Sequence, residues 1–305
     1  MQIQYISVLL LGLIFPHKSC AQIEKNHLTL STKKEYQYRE KFSDILLVVN
    51  FNHPFYSNIE FLKKLYSPIF NNIVFYGEET HPDVCKVNTH TGYFLSAVIQ
   101  DVYTRFPDYK GYLFLQDDCV LHFWNYVTYD QDKIWYAVQY KEENRCNDVF
   151  YSTKDFNGHV LGLEWFHWQQ PWAFKAAARA YRNLASQDRK ILRKNIGRHN
   201  IPTQPCDMFY VPARLKDDFY RLSTIFQNVF CEVAVPTMLC CLDDIKNWEH
   251  LNMLWGYDNI PNTDLQTYPI AYSWIHPIKF SNQKNRDIIE TIFTHMILEG
   301  QNNVE

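Results

Sequence analysis

The amino-acid sequence predicts a three-layer α/β/α sandwich, and three observations support this fold class. Short apolar runs alternate with amphipathic helical patterns between residues 44 and 116. A run that is apolar at every position is typical of a strand buried on both faces, as in a parallel sheet. A chain of 305 residues, 47% of them hydrophobic, is long enough to bury the core of such a sandwich.

The first half of the chain carries the more regular pattern. Strands are predicted at 44–50 (DILLVVN), 72–76 (NIVFY) and 112–115 (YLFL), and helices at 58–66 and 92–106. In both helical segments apolar residues recur every three or four positions. Strand, helix, strand, helix and strand in this order predict two right-handed βαβ units.

The second half is less regular. Strands are predicted at 133–138, 207–212 and 268–280, and helices at 172–184, 187–196, within 215–239 and at 286–298. No segment rich in Pro, Gly and Ser divides the chain, so residues 43–305 are predicted to form one domain.

The N-terminus has the pattern of a signal peptide. Residues 6–15 are apolar, a run too short to span a bilayer, and a small-x-small cleavage pattern ends at Ala21. We therefore expect a signal peptide at 1–21, a polar extension at 22–42, and location in the lumen of the secretory pathway (ER or Golgi) or secretion. A buried strand or short helix of the mature fold, or an uncleaved anchor, is the alternative interpretation; no further membrane span is expected.

Composition limits the partners and the cysteine chemistry. The net charge is −3 and no basic stripe is present, so no nucleic-acid partner is expected. Seven cysteines follow Cys20, without a C-x-x-C or a Cys/His zinc pattern, so no structural zinc site is predicted. In an oxidising compartment some of them are expected to form disulfides, with the connectivity left open.

Two adjacent carboxylates, Asp117 and Asp118, follow the strand predicted at 112–115. Ligands of open α/β sheets bind at the carboxyl ends of the strands. One interpretation is that one Asp caps a helix at 121–126 while the other is solvated. The other is that a hard divalent cation relieves their repulsion and binds phosphate oxygens.

The acidic pair resembles the strand-end DXD motif of metal-dependent glycosyltransferases with the GT-A fold. Further similarity lies in 207–212 (DMFYVP), 230–236 (FCEVAVP) and 275–279 (IHPIK). Together these segments resemble the plant STELLO-like glycosyltransferases and, more distantly, the C-terminal domain of exostosins, over residues 44–280. The resemblance implies a GT-A-like fold, with a Rossmann-like nucleotide-binding half and an acceptor-binding half. This chain departs from the strict DXD motif at Cys119, the position at which that motif has its second acid.

The resemblance also implies roles on the donor side of the site. Asp117, Asp118 and His276 would hold Mn²⁺ (or Mg²⁺) on the diphosphate of a nucleotide sugar. Lys279 would contact a phosphate, and Asn50 and Asn52 would bind the base and ribose. The alternative for His276 is an incidental surface His-Pro turn.

On the acceptor side, an inverting transfer needs a general base. Glu232 lies in an apolar stretch and Asp207 precedes an apolar strand, so both are candidates. The alternatives are a buried salt bridge for Glu232 and a turn or cap for Asp207. The aromatic segment 164–172 (EWFHWQQPW) is either an acceptor wall that stacks on sugar rings or a core cluster.

These residues predict a metal-dependent glycosyltransferase that moves a sugar from a nucleotide-diphosphate donor to a glycan or glycoprotein. Inversion and retention are both compatible with the residues. The rival predictions are a secreted binding protein that lost catalysis, which Cys119 favours, and a metal-dependent hydrolase of phosphate or sugar esters.

Overall fold

The computed structural model describes residues 33–137, 152–162, 166–258, 260 and 268–298. In this part of the chain, helices pack around a mixed sheet of seven strands. The predicted α/β fold class is therefore confirmed, and the architecture is consistent with a GT-A-like fold. The predicted signal peptide (1–21) and Cys146 lie outside the described residues.

The strands are numbered along the chain. They are β1 (Ile45–Asn50), β2 (Asn72–Gly77), β3 (Val84–Lys86), β4 (Gly111–Gln116), β5 (Val120–Leu121), β6 (Trp135–Tyr136), β7 (Ser152–Asp155), β8 (Val160–Gly162), β9 (Asn200–Thr203), β10 (Met208–Pro212), β11 (Glu249–His250), β12 (Met253–Asp258) and β13 (Trp274–Ile278). The large sheet has the order β11-β6-β10-β4-β1-β2-β3, and smaller sheets have the orders β12-β13-β5 and β8-β7-β9.

The α-helices are numbered in the same way. They are α1 (Lys33–Lys41), α2 (Ile59–Tyr66), α3 (Ser96–Arg105), α4 (Ala176–Asn183), α5 (Ser186–Ile196), α6 (Lys216–Ile225), α7 (Cys231–Leu242) and α8 (Gln283–Leu298). Helix α1 lies within the segment predicted as an N-terminal extension. No helix in the described segments combines the length and the apolarity that crossing a membrane requires.

Two hydrophobic cores lie on the two faces of the large sheet. All six residues of β1 are buried, and successive side chains of a strand point to opposite faces. Leu46 and Val48 belong to the core that contains residues of α3 to α7. Ile45, Leu47 and Val49 belong to the core that contains residues of α1, α2 and α8. This division explains why residues 45–49 of β1 are all apolar, and it produces the predicted three layers.

Strand direction brings distant segments to one edge of the sheet. Strands β4, β1, β2 and β3 are parallel neighbours, so their carboxyl ends share an edge. Strand β10 runs antiparallel to β4, with Met208 opposite Leu115. Because its direction is reversed, the start of β10 lies beside the end of β4.

The prediction of one long strand at 268–280 is wrong for the first part of that segment. Only Trp274–Ile278 is a strand, and residues 268–273 form turns. A side chain from the segment after β5 holds these turns by hydrogen bonds. Asn125 Nδ2 donates to the carbonyls of Ile270 and Tyr272 at 2.8 Å each. Apolar character here reflects burial against the core rather than strand geometry.

The expected disulfides are absent among the cysteines that the structure describes. Cys85, Cys119, Cys206, Cys231, Cys240 and Cys241 are all buried, and no disulfide joins any of these six residues to another. They pack in the two cores as small apolar side chains do. The disulfide prediction is therefore wrong for these six residues.

Candidate functional site

The acidic pair lies at the end of β4, as the strand pattern predicts. Asp117 is only 4% exposed, and its amide donates to the Asn50 carbonyl at 3.0 Å, which continues the pairing with β1. Burial, and next the neighbouring Asp118 carboxylate, raise the pKa of Asp117 well above its ordinary value. Asp117 is therefore a desolvated carboxylate beside another acid, whereas the Asp118 side chain is 37% exposed.

The helix-cap interpretation of these two residues is wrong. The segment that follows them forms β5, and the next helical turn is a short 3-10 turn at Phe123–Tyr126. His122 precedes that turn and makes no side-chain capping bond. The carboxylates therefore have no helix to cap.

Strand β13 brings His276 to the acidic pair. It runs antiparallel to β5, and the Ile278 amide donates to the Asp118 carbonyl at 2.8 Å. The His276 Nε2 atom then lies 3.4 Å from Asp118 Oδ1 and 3.4 Å from Asp207 Oδ1. Burial lowers the pKa of His276, but the two carboxylates outweigh it and raise that pKa to about 9.

Asp207 joins this centre because it immediately precedes β10. Its carbonyl accepts the Gln116 amide at 2.8 Å, beside the end of β4. Burial raises its pKa above the ordinary value; His276 opposes this, and Asp118 adds to it. No described residue donates a hydrogen bond to its Oδ2 atom. Asp207, predicted as a candidate base, is thus as close to His276 as Asp118 is.

Glu232 lies in the first turn of α7 and is partly buried. Its carbonyl accepts the Gln204 amide at 2.9 Å, which anchors the start of the helix to the segment before Asp207. Burial and the Asp207 carboxylate raise the pKa of Glu232 to about 8, although His276 acts in the opposite direction. The two carboxylates predicted as base candidates therefore influence each other directly.

The acidic centre has the donor set of a divalent-cation site. Ligand atoms of Asp118, Cys119 and His276 lie within 4.8 Å of one another. Carboxylate oxygen and imidazole nitrogen suit Mn²⁺. The orphaned Asp207 Oδ2 adds a buried oxygen in need of a positive partner. The residues present therefore fit the predicted cation.

Cys119 differs from the other two potential ligands. Its side chain is fully buried, and its Sγ lies 3.7 Å from the Asp207 carbonyl, to which it donates. Burial, then the surrounding carboxylates, raise its pKa well above the ordinary value. A metal ligand must be the thiolate, so this neutral thiol is better explained as a link between β5 and the Asp207 segment.

A cavity of about 610 Å³ opens over the acidic centre. Six of the predicted site residues line it: Asn52, Asp117, Asp118, Asp207, Glu232 and Lys279. Asn50 is not in the wall, because it is 3% exposed and its amide donates to Gln116 Oε1 at 3.0 Å. It supports Asn52, to whose Oδ1 the same amide donates at 3.3 Å.

Sequence reasoning missed a second cation in the cavity wall. Arg286 of α8 lines the cavity with Lys279, and its Nη2 donates to Asn58 Oδ1 at 2.8 Å. The guanidinium also lies 5.0 Å from the centre of the Phe61 ring. Local sequence does not mark Arg286, because Asn58 and Phe61, the side chains that hold its guanidinium, are more than 200 residues away along the chain.

The aromatic segment predicted as either acceptor wall or core contains both kinds of residue. His167 lines the cavity, whereas Trp168 is 2% exposed and belongs to a core. Residues 164 and 165 of this segment lie outside the described part of the chain. The cavity wall also includes Phe230 and Tyr93, which the sequence did not single out.

Two curated proteins of Arabidopsis thaliana are similar to this chain. Probable glycosyltransferase STELLO1 is 22% identical over 254 residues, and probable glycosyltransferase STELLO2 is 23% identical over 260 residues. Each alignment covers 82% of the chain, and the chain spans about a third of each relative, 31% and 32% respectively. No model of a protein family matches the chain. The predicted resemblance to the STELLO-like glycosyltransferases is confirmed.

Proposed function

We propose that the chain is a metal-dependent glycosyltransferase that moves a sugar from a nucleotide-diphosphate donor to a hydroxyl of a glycan or glycoprotein. The observation that carries the proposal is the geometry of His276, held 3.4 Å from both Asp118 and Asp207 at the carboxyl edge of the sheet. The named relatives support the reaction class.

In this proposal the donor diphosphate binds between the acidic centre and the two cationic side chains of the cavity wall, Lys279 and Arg286. Asp118 and His276 would hold Mn²⁺, with Asp117 and Asp207 supplying further negative charge. A bound divalent cation would stabilise the negative charge that develops on the leaving diphosphate. Lys279 and Arg286 line the same cavity and add positive charge for the phosphates, Arg286 in an orientation fixed by Asn58.

On the acceptor side, the proposed general base is Glu232. In an inverting transfer the acceptor oxygen bonds to the anomeric carbon, the bond from that carbon to the diphosphate breaks, and a base takes the hydroxyl proton. With a pKa raised to about 8, Glu232 is, once ionised, a stronger base than an ordinary carboxylate, and its pKa lies near the working pH as general-base catalysis favours. Asp207 is the weaker candidate, because it is 8% exposed and already faces His276.

The proposal places the reaction in the lumen of the secretory pathway. Its support is the apolar run at 6–15 with the cleavage pattern that follows it. The described cysteines are compatible with this location, because all six are buried away from oxidants.

Calorimetric titration with UDP and UDP-sugars tests the donor site. We expect wild type to bind in the presence of Mn²⁺ and to lose binding in EDTA. Asp118→Asn removes a proposed metal ligand and should weaken Mn²⁺-dependent binding at least about 100-fold, since even outer-shell changes cost 10- to 100-fold. Asp108→Asn, an exposed carboxylate outside the cavity, is the matched control and should bind as wild type does.

Equal binding by wild type and Asp118→Asn, or no binding of any nucleotide by either, would contradict the proposal. Donor turnover supplies a second readout. Consumption of the nucleotide sugar at the same high rate with and without acceptor would identify a hydrolase instead. Binding without turnover under any acceptor would identify an inactive binding protein.

A further inference from the structure

Three aromatic side chains form one wall of the cavity on the Glu232 side. Tyr93, His167 and Phe230 all line the cavity, and we call them the aromatic platform. The rings of His167 and Phe230 are stacked, with centroids 4.9 Å apart and an interplanar angle of 22°. Tyr93 packs against Phe230 at 5.4 Å and edge-to-face against Trp172 at 5.8 Å. Tyr93 nevertheless remains 38% exposed, so part of its ring is available to a ligand.

The loop that carries Tyr93 is held in an unusual conformation. His90, Thr91 and Gly92 have φ angles of 51°, 56° and 82°, all in the left-handed region that most residues avoid. A single carboxylate oxygen of Glu78 accepts hydrogen bonds from the amides of Thr89 and Thr91, each at 2.8 Å. Strained backbone of this kind persists where its surroundings enforce it, typically at binding sites. Glu78 therefore positions the loop and, through it, Tyr93.

The platform is tied to the candidate base through the backbone. The Cys231 amide donates to the Tyr93 carbonyl at 2.8 Å, and Glu232 is the next residue of the chain. Phe230, Cys231 and Glu232 all line the cavity. An apolar ring surface thus adjoins the helix turn that carries a carboxylate in the same cavity.

We propose that the aromatic platform binds a sugar ring of the acceptor, so that the acceptor is a carbohydrate rather than a peptide or lipid hydroxyl. This inference rests on the proposed function, which it deepens. Sugar rings present C–H faces that pack on aromatic rings, while their hydroxyls need carboxylates as hydrogen-bond acceptors. The platform supplies the rings, and Glu232 and Asp207 supply the carboxylates.

A glycan array probed with the labelled full-length chain tests this assignment. We expect wild type to bind a subset of the defined oligosaccharides without any nucleotide present. For the strongest-binding oligosaccharide, Tyr93→Ala should weaken binding about tenfold in solution titrations. Tyr220→Ala is the matched control, because Tyr220 is 39% exposed and lies outside the cavity; it should bind as wild type does.

Glu78→Gln provides a variant that alters no surface of the platform. Because the loop loses its charged anchor, we expect a threefold or larger loss of glycan affinity. In turnover assays Tyr93→Ala should raise the KM for the acceptor, whereas the control Tyr220→Ala should leave both that KM and the slow hydrolysis of donor without acceptor unchanged.

Two outcomes would overturn the inference. One is the absence of binding to every oligosaccharide on the array by a chain that binds UDP with Mn²⁺. The other is glycan binding that Tyr93→Ala leaves unchanged. Both would leave the proposed donor site intact, whereas failure to bind UDP with Mn²⁺ would remove the proposed function itself.

Discussion

The charges of individual side chains explain why this site favours a bound cation. Asp118 and Asp207 flank one imidazole, Asp117 lies next to Asp118, and burial makes charge costly at Asp117 and Asp207. The two nearest carboxylates raise the pKa of His276 to about 9, so the imidazole is protonated at neutral pH. In the metal-free protein the imidazolium thus supplies positive charge to the acids. A divalent cation would release that proton and neutralise the acids more fully.

Cys119 gives a prediction at the same scale. As a neutral thiol that donates to the Asp207 carbonyl at 3.7 Å, it is expected to be structural and not a metal ligand. Cys119→Ser keeps a donor at this position, so Mn²⁺-dependent UDP affinity should stay within about threefold of wild type, with a loss of stability of about 1 kcal/mol. Calorimetric titration and thermal unfolding measure the two effects.

Cys240→Ser is the control for that experiment, because Cys240 is another buried thiol, in α7 and away from the acids. A folded Cys119→Ser protein that no longer binds Mn²⁺, beside a Cys240→Ser protein that does, would show that the Cys119 sulfur is a ligand after all.

At the scale of elements, antiparallel neighbours assemble the site. Strand β10 begins where β4 ends, which brings Asp207 to the acidic pair, and β13 returns along β5 to bring His276. The loop before α3 completes the wall. A Cβ added to Gly92 would clash with Asn52 Oδ1, so this loop packs directly on the predicted nucleotide side.

Gly92→Ala tests that contact. Gly92 and Gly158 both have positive φ, 82° and 92°, so either alanine variant should lose about 1 kcal/mol of stability from backbone strain. Only at Gly92 does the new Cβ meet another side chain, because nothing lies within 4 Å of the Gly158 position. We expect Gly92→Ala to weaken UDP binding about tenfold and to lower Tm more than Gly158→Ala does.

Gly158→Ala should retain wild-type UDP affinity in the same calorimetric titration. If both variants bind UDP equally well, Asn52 does not depend on the loop and its assignment to the nucleotide side loses its structural support.

For the whole molecule, the site makes stability depend on pH. His276 has its pKa raised from 6.5 to about 9 on folding, so its contribution is fully present below pH 6.5 and is lost as pH rises toward 9. Glu232 has its pKa raised from 4.5 to about 8, so stability falls between these values because the unfolded carboxyl ionises more easily. Both act in the same direction, and we expect Tm in EDTA to fall between pH 6.5 and 9.

Differential scanning fluorimetry across this range measures the effect. Glu232→Gln cannot ionise at this position, so its Tm should fall less steeply than that of wild type and exceed it above pH 8. Added Mn²⁺ should raise Tm through preferential binding to the folded state. A wild-type Tm that is flat or rises between pH 6.5 and 9 would contradict the assigned pKa directions.

The sequence supported much of the fold and part of the site. The apolar runs that became β1 and β4 and the carboxylates after β4 follow from local pattern, because a strand buried on both faces must be apolar throughout. The helix predicted at 92–106 begins only at Ser96. Residues 92–95 do not join the helix, because Gly92 has a positive φ and the amides of Gly92 and Phe94 donate to Thr89 instead of forming helical hydrogen bonds.

The sequence by itself determined the α/β class, the strand-end acids and the resemblance to glycosyltransferases, because periodicity and adjacent residues carry that information. Only the tertiary structure decided that Asp207 shares His276 with Asp118, that Arg286 joins Lys279, and that Tyr93 lies beside the Glu232 helix. These neighbours are set by strand direction and by the packing of distant segments. Strand direction and long-range packing cannot be read from a local sequence pattern. The residues that share this edge of the sheet are therefore known only from the folded structure.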